Sequence, residues 1–262
     1  MSNLIEHTLF GETQNPKRII MALHGMGQHP GYMERAARAF TEKMPGTLVV
    51  MPQAPLPIEY SAEKVARIRE RYDPGFDPDK ARAWFATETS GWPLLSLRLL
   101  FNSLPVVHQV NALADHYRDK HGLQDRDLGF FGMSQGGAIS LYAAIARDKP
   151  VAGVVSHSGM FFGFAPAKSR PDVLMITGDD DDMLCNNDSA MKSFFVKPEN
   201  AIRRLQRRGI HVNEFWAAGL GHDMNPISLN AAADFLKASF LNAQKERSVQ
   251  KDVAPALPVL GR

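Results

Sequence analysis

The 262-residue chain has one cysteine, Cys185, so it can form no intrachain disulfide and no cysteine-based metal site. A chain without disulfides suits a reducing compartment, and the cytoplasm is the expected location. Neither sign of charge is in excess: 30 Lys and Arg stand against 28 Asp and Glu, a net charge of +2. That balance supplies no field for nucleic acid or an anionic membrane, and neither is expected as a partner. No apolar run approaches the roughly 18 to 20 residues that span a bilayer, so no integral membrane contact is expected. The opening MSNLIEHTLFGETQNPKR carries Glu6 and no basic start before an apolar stretch, which argues against a secretory signal. Also missing are H-E-x-x-H, C-x-x-C and G-x-G-x-x-G patterns. The aspartates at 179–182 lack the spacing and glycine of a calcium loop. No metal and no cofactor are expected.

What remains is an ordinary globular balance, 44% apolar and 22% charged, which excludes disorder and collagen-like repeats. Short runs rich in Val, Ile and Leu predict strands at 17–25, 46–53, 127–133, 151–159, 172–179 and 211–217. Helical patterns fall between and after them, at 31–44, 104–121, 135–148, 189–208 and 226–243. Buried strands alternating with helices predict an α/β fold with a mostly parallel central sheet flanked by helices. A single domain over 1–244 is expected, followed by a loosely ordered tail over 245–262 that turns Pro-rich. The segment at about 54–103 breaks the alternation. It is too long for an ordinary connection and reads as a lid-like excursion over one face of the sheet.

Gly132-Met133-Ser134-Gln135-Gly136 follows the apolar strand DLGFF and precedes the helical run AISLYAAIA. That is G-x-S-x-G in the strand–turn–helix context in which a serine hydroxyl is pushed out above a sheet as a nucleophile. A serine needs a base, with an acid to orient it, and the chain order of this arrangement is Ser, then Asp or Glu, then His. His222 lies in the glycine-rich loop GLGHDMNP after the strand at 211–217, and DVLMITGDDDD offers acids at a strand end. His157, within SHSG, is the weaker candidate base. His108, His116 and His121 belong to a helix, and His7 and His29 precede the serine. Two backbone N–H donors must face the developing oxyanion. Gln135, next to the serine, supplies one. The turn Leu23-His24-Gly25-Met26-Gly27 is placed to supply the other from Met26, with His24 bracing the turn.

These residues resemble the phospholipase/carboxylesterase family of α/β-hydrolases, which includes acyl-protein thioesterases. The resemblance runs from about residue 17 to 240 and rests on LHGMG (23–27), PQAP (52–55), AWF (83–85), GFFGMSQGGAISLY (129–142), SHSG (156–159), GDDD (178–181) and GHDM (221–224). It implies the α/β-hydrolase fold and a serine hydrolase acting on a small-molecule ester or thioester through Ser134, Asp181 and His222. The family's Gly-x-x-Asp loop, counted from Gly178, selects Asp181 among the four aspartates, and its oxyanion donors fall on Met26 and Gln135. The sequence departs from the family at Thr177, where a His is usual, and at Asp182, Met183 and Leu184, where Pro and small aliphatics are usual. A carboxylesterase is the leading reading. A lysophospholipase or acyl-protein thioesterase acting on longer chains is the alternative, and a non-catalytic binding protein of the same fold a minor one.

Trp84, Trp92, Leu94 and Leu184 are candidate substrate-pocket walls, with Phe85 and Leu95 beside them; each could equally be core. The arginines of IRRLQRRG (202–209) read as the solvated face of an amphipathic helix. Cys185 reads as a packing residue near the acid loop.

Overall fold

The computed structural model describes residues 4–71, 73–86, 92–163, 167–185 and 197–253. Seven strands form one sheet: β1 (His7–Gly11), β2 (Arg18–Leu23), β3 (Thr47–Pro52), β6 (Leu128–Met133), β7 (Gly153–His157), β8 (Asp172–Gly178) and β9 (Val212–Ala217). Their spatial order is β1-β3-β2-β6-β7-β8-β9, with β1 antiparallel to β3 and every other pair parallel. Two short strands, β4 (Leu56–Pro57) and β5 (Arg82–Ala83), pair separately within the excursion. The six strands expected from apolar runs are all present. Strand β1 was not expected, because it is an edge strand with mostly exposed side chains and its short run carries little apolar pattern.

Alternate residues of each strand enter opposite cores, as the two-residue period of a pleated strand requires. Ile19, Met21, Leu48, Val50, Phe130, Val154 and Val173 pack on one face with helices α3 (Trp92–Lys120), α4 (Gln135–Ile145) and α5 (Pro198–Gln206). Ile20, Val49, Met51, Phe131, Val155, Leu174 and Ile176 pack on the other with α1 (Glu34–Lys43) and α6 (Pro226–Val253). Because both faces are covered, the central strands are buried along their whole length, which is why they read as continuous apolar runs.

Two boundaries differ from the sequence reading. Helix α3 starts at Trp92 rather than 104, so the excursion ends near residue 91 and Pro105 lies inside a 29-residue helix instead of at its first turn. Helix α6 runs to Val253, through residues assigned to a loose tail. Arg247 holds that last stretch by forking onto the mostly buried Asp127, and Arg126 pairs with Glu246 at 3.2 Å. The first eight residues of the helix expected over 189–208 lie outside the described residues; in the described part the helix is α5. Within the excursion, α2 (Ala62–Arg71) is the charged helical run.

The chain runs from β2 outward to β3 and later returns to β6 on the other side of β2. The carboxyl ends of β2 and β6 therefore flank the point where strand order reverses, the position at which open α/β sheets form a crevice.

Candidate active site

Ser134 sits at that crevice, between the end of β6 and the start of α4, with φ 53° and ψ −117°. A non-glycine residue there carries strain on the order of 1–3 kcal/mol, which the surroundings must impose. They do so through packing. A Cβ on Gly132 would stand 2.2 Å from the Gly136 carbonyl oxygen, and one on Gly136 would stand 2.3 Å from that of Leu23. Only glycine lets the helix start this close to both β6 and the turn after β2. The Ser134 N–H donates to the His157 carbonyl at 2.8 Å, which fixes the elbow to β7.

The four consecutive aspartates divide by geometry. Asp181 has no exposed surface, and its Oδ2 lies 2.8 Å from His222 Nδ1. Its Oδ1 accepts the backbone N–H groups of Met183 at 3.1 Å and Leu184 at 3.2 Å. Asp179 instead caps the Gly219 N–H of the histidine loop at 2.6 Å, while Asp180 and Asp182 are exposed. The acid and histidine loops are laced together by Asp180 N–H donating to the Leu220 carbonyl at 3.1 Å. This needs Gly178, where a Cβ would meet that carbonyl oxygen at 1.9 Å. Burial works against charge on Asp181. The hydrogen bond and attraction of His222, with further donation from Ser158 and the Leu184 N–H, outweigh it and hold the carboxyl below its ordinary value. The departures at Met183 and Leu184 leave this loop intact, since it is their backbone N–H groups that Asp181 accepts.

With His222 Nδ1–H given to Asp181, Nε2 is the nitrogen left to accept a proton. Among the described residues, no hydrogen bond joins Ser134 Oγ to His222. The two are brought to the same edge of the sheet, beyond the ends of β6 and β9. His157 is differently placed: it is wholly buried, its Nε2 lies 3.0 Å from Ser228 Oγ, and burial above all pushes its pKa down to about 4.

The turn after β2 is braced on every side. His24 Nε2 accepts the Ala54 N–H at 3.1 Å, so Nδ1 carries the proton and donates to the Gly25 carbonyl at 2.8 Å. Burial pushes the His24 pKa down to about 4, which keeps the ring neutral. Gln28 Oε1 accepts the Gly25 N–H at 2.8 Å. Met26 stands at the tip of the turn, 40% exposed. A Cβ on Gly25 would lie 3.5 Å from Ser134 Cβ, so the turn lies against the serine. Gln135 begins α4, and N–H groups of a first helical turn have no partner within the helix.

Of the four candidate pocket walls, Trp84 is wholly buried, with its indole N–H donating to the His24 carbonyl at 2.7 Å. Leu184 is buried beside Asp181. Trp92 and Leu94 lie in the first turn of α3, and their side chains are outside the described residues. Two contributors went unseen in the sequence. Ser158, a donor to Asp181, has φ 49° at the end of β7; its only sequence signal is the SHSG motif. Gln28 carries no motif at all.

The sequence pattern of the phospholipase/carboxylesterase family matches residues 106–240. The chain belongs to that family. Its fold is that of the α/β-hydrolases, and several solved structures share it. Esterase PE8 superimposes with a TM-score of 0.70 at 22% identity, covering 90% of this chain and 99% of its own. SOBER1 of Arabidopsis thaliana gives 0.61 at 20% identity, covering 85% of this chain and 98% of its own. The Bacillus cereus carboxylesterase gives 0.65 at 14% identity, covering 91% and 96%. At these identities the likeness is one of fold. No curated protein sequence matches the chain. No described helix is long and apolar enough to cross a membrane.

Proposed function

We infer that the protein is a serine carboxylesterase that hydrolyses small-molecule carboxylic esters through an acyl-enzyme, with Ser134 as nucleophile, His222 as base and Asp181 as the acid that orients it. The buried Asp181 hydrogen-bonded to the partly exposed His222, at the same strand ends as a serine held at φ 53°, carries this reading.

In the first step Ser134 Oγ bonds to the carbonyl carbon while its proton passes to His222 Nε2. The carbonyl π pair moves onto oxygen, where the Met26 and Gln135 backbone N–H groups receive it. Collapse of that adduct re-forms the C=O and breaks the bond to the leaving alkoxide, which takes the proton from His222. Water then repeats the sequence on the acyl-enzyme and releases the carboxylic acid and the free serine. Asp181 stays ionised throughout, because its hydrogen bonds favour the charged form. It holds the imidazole in the tautomer that leaves Nε2 free and stabilises the imidazolium. On this reading the hydrogen bond from Ser134 Oγ to His222 Nε2 forms as substrate is bound. No cofactor takes part in this scheme. The cytoplasm, where Cys185 stays reduced, is the setting that goes with it.

A fluorophosphonate probe tests the assignment. It should label the wild type on the peptide bearing Ser134 and leave Ser134→Ala unlabelled. A folded wild type that takes no label would place the chain among non-catalytic members of the fold.

A further inference from the structure

Gln135 contributes more than a backbone N–H. Its side-chain amide is buried; Oε1 accepts the Trp84 backbone N–H at 3.0 Å, and Nε2 donates to the Phe85 carbonyl at 3.1 Å. Trp84 passes the connection on, through the indole N–H that donates to the His24 carbonyl. On its other side the same strip of the excursion pairs with the turn. The Gly27 N–H donates to the Arg82 carbonyl at 2.8 Å, and the Arg82 N–H donates to the Gln28 carbonyl at 3.2 Å. Residues 82–85 therefore lie between the two halves of the inferred oxyanion hole and are bonded to both.

We propose that the Gln135 side chain is a positioning residue: through Trp84 it sets the Met26 turn relative to the Gln135 N–H, so that the excursion fixes the spacing of the two oxyanion donors. The proposal rests on the serine-hydrolase reading. Donors must stand about 2.7–3.1 Å from the oxyanion, so a small shift of one half of the hole removes much of its effect. A primary amide suits the link because it offers an acceptor to one backbone group and a donor to the next; a charged carboxylate could serve only the first. With both groups buried, losing the amide leaves an unsatisfied N–H and C=O, and the strip must shift to satisfy them.

The test compares wild type, Gln135→Met, Gln135→Glu, Trp84→Phe and the Gln135→Met/Trp84→Phe double variant. The readouts are ester hydrolysis and inhibition by a trifluoromethyl ketone. In the inhibitor adduct Ser134 Oγ bonds to the ketone carbon, the hydroxyl proton moves to His222, and the negative oxygen occupies the hole. Gln135→Met is expected to lose about tenfold or more in both kcat and inhibitor affinity, with KM nearly unchanged. Gln135→Glu, which keeps the acceptor for the Trp84 N–H, should recover part of that loss. The double variant should lose little more than the worse single one, because both act on one path. Values for Gln135→Met within about twofold of wild type, a loss confined to KM, or full additivity would each overturn the proposal. Should Gln135→Met not fold, Trp84→Phe alone must show the paired loss, and wild-type behaviour in it overturns the proposal. A wild type that neither hydrolyses ester nor labels at Ser134 refutes the functional reading itself, which the wild-type control distinguishes.

Discussion

Lowering the pH from 7 to 4.5 is expected to weaken this fold through two histidines that take no part in the inferred chemistry. His24 and His157 are both wholly buried. Burial is the largest influence on each, and it lowers their pKa from 6.5 to about 4. In the unfolded chain each ring takes a proton near pH 6.5; in the folded chain it stays neutral until about pH 4. Between those values the unfolded state binds more protons, so stability falls as pH falls. The contribution is fully present above pH 6.5 and lost progressively down to about pH 4. The slope is about 1.4 kcal/mol per pH unit for each histidine, and the full loss is on the order of 3 kcal/mol each. Two such losses are a large share of the 5–15 kcal/mol that domains typically possess. Asp181, held below its ordinary value, acts in the same direction but only as pH falls further, through its folded-state pKa. The assay is urea unfolding at pH 7, 6, 5 and 4.5, with His157→Gln measured beside the wild type. The wild type should lose stability steeply across the series, and the variant should lose it about half as steeply. A flat wild-type profile, or an unchanged slope in His157→Gln, would refute the reasoning.

Asp181→Asn keeps the shape of the site but leaves His222 in the wrong tautomer, so kcat should fall by about 10³- to 10⁴-fold with the melting temperature largely retained. Gly136→Ala would drive a Cβ against the Leu23 and His24 carbonyls; a calorimetric scan should show marked destabilisation or no folded protein. Arg247→Ala removes the fork onto Asp127 at the end of α6 and should cost about 1–3 kcal/mol. It should also speed proteolysis within 245–253 while leaving ester turnover unchanged. Burial pushes the Cys185 thiol above its ordinary value, so it should react with a disulfide reagent more slowly in the folded protein than in urea, and Cys185→Ser should keep full activity.

Much of the fold was legible because both faces of the sheet are covered. The strands of the interior therefore appear as unbroken apolar runs, while the exposed edge strand β1 and the two-residue strands β4 and β5 escaped. Ser134 was legible because glycines 132 and 136 are demanded by backbone contact, and that demand is local in sequence. Asp181 was different. Four adjacent aspartates are equivalent in composition, and the family's loop spacing was needed to choose the one that burial and His222 single out. The buried links were not legible. Gln135 meets residues 84 and 85 about fifty positions away, and Ser158 meets Asp181 across neighbouring strands; no periodicity records either contact. The start of α3 was obscured by Pro105, whose usual place is a first turn, and the end of α6 by the polarity of a stretch held through side-chain forks.

The central claim is that Ser134 attacks an ester carbonyl with His222 as base. Its most direct test is hydrolysis of p-nitrophenyl esters from acetate to palmitate by wild type and Ser134→Ala, with both shown to be folded. The account predicts turnover by the wild type and a fall to background in the variant, with the chain-length optimum separating a short-chain carboxylesterase from an enzyme of longer acyl chains. Equal rates in the two proteins, or no turnover of any ester by the folded wild type, would contradict it.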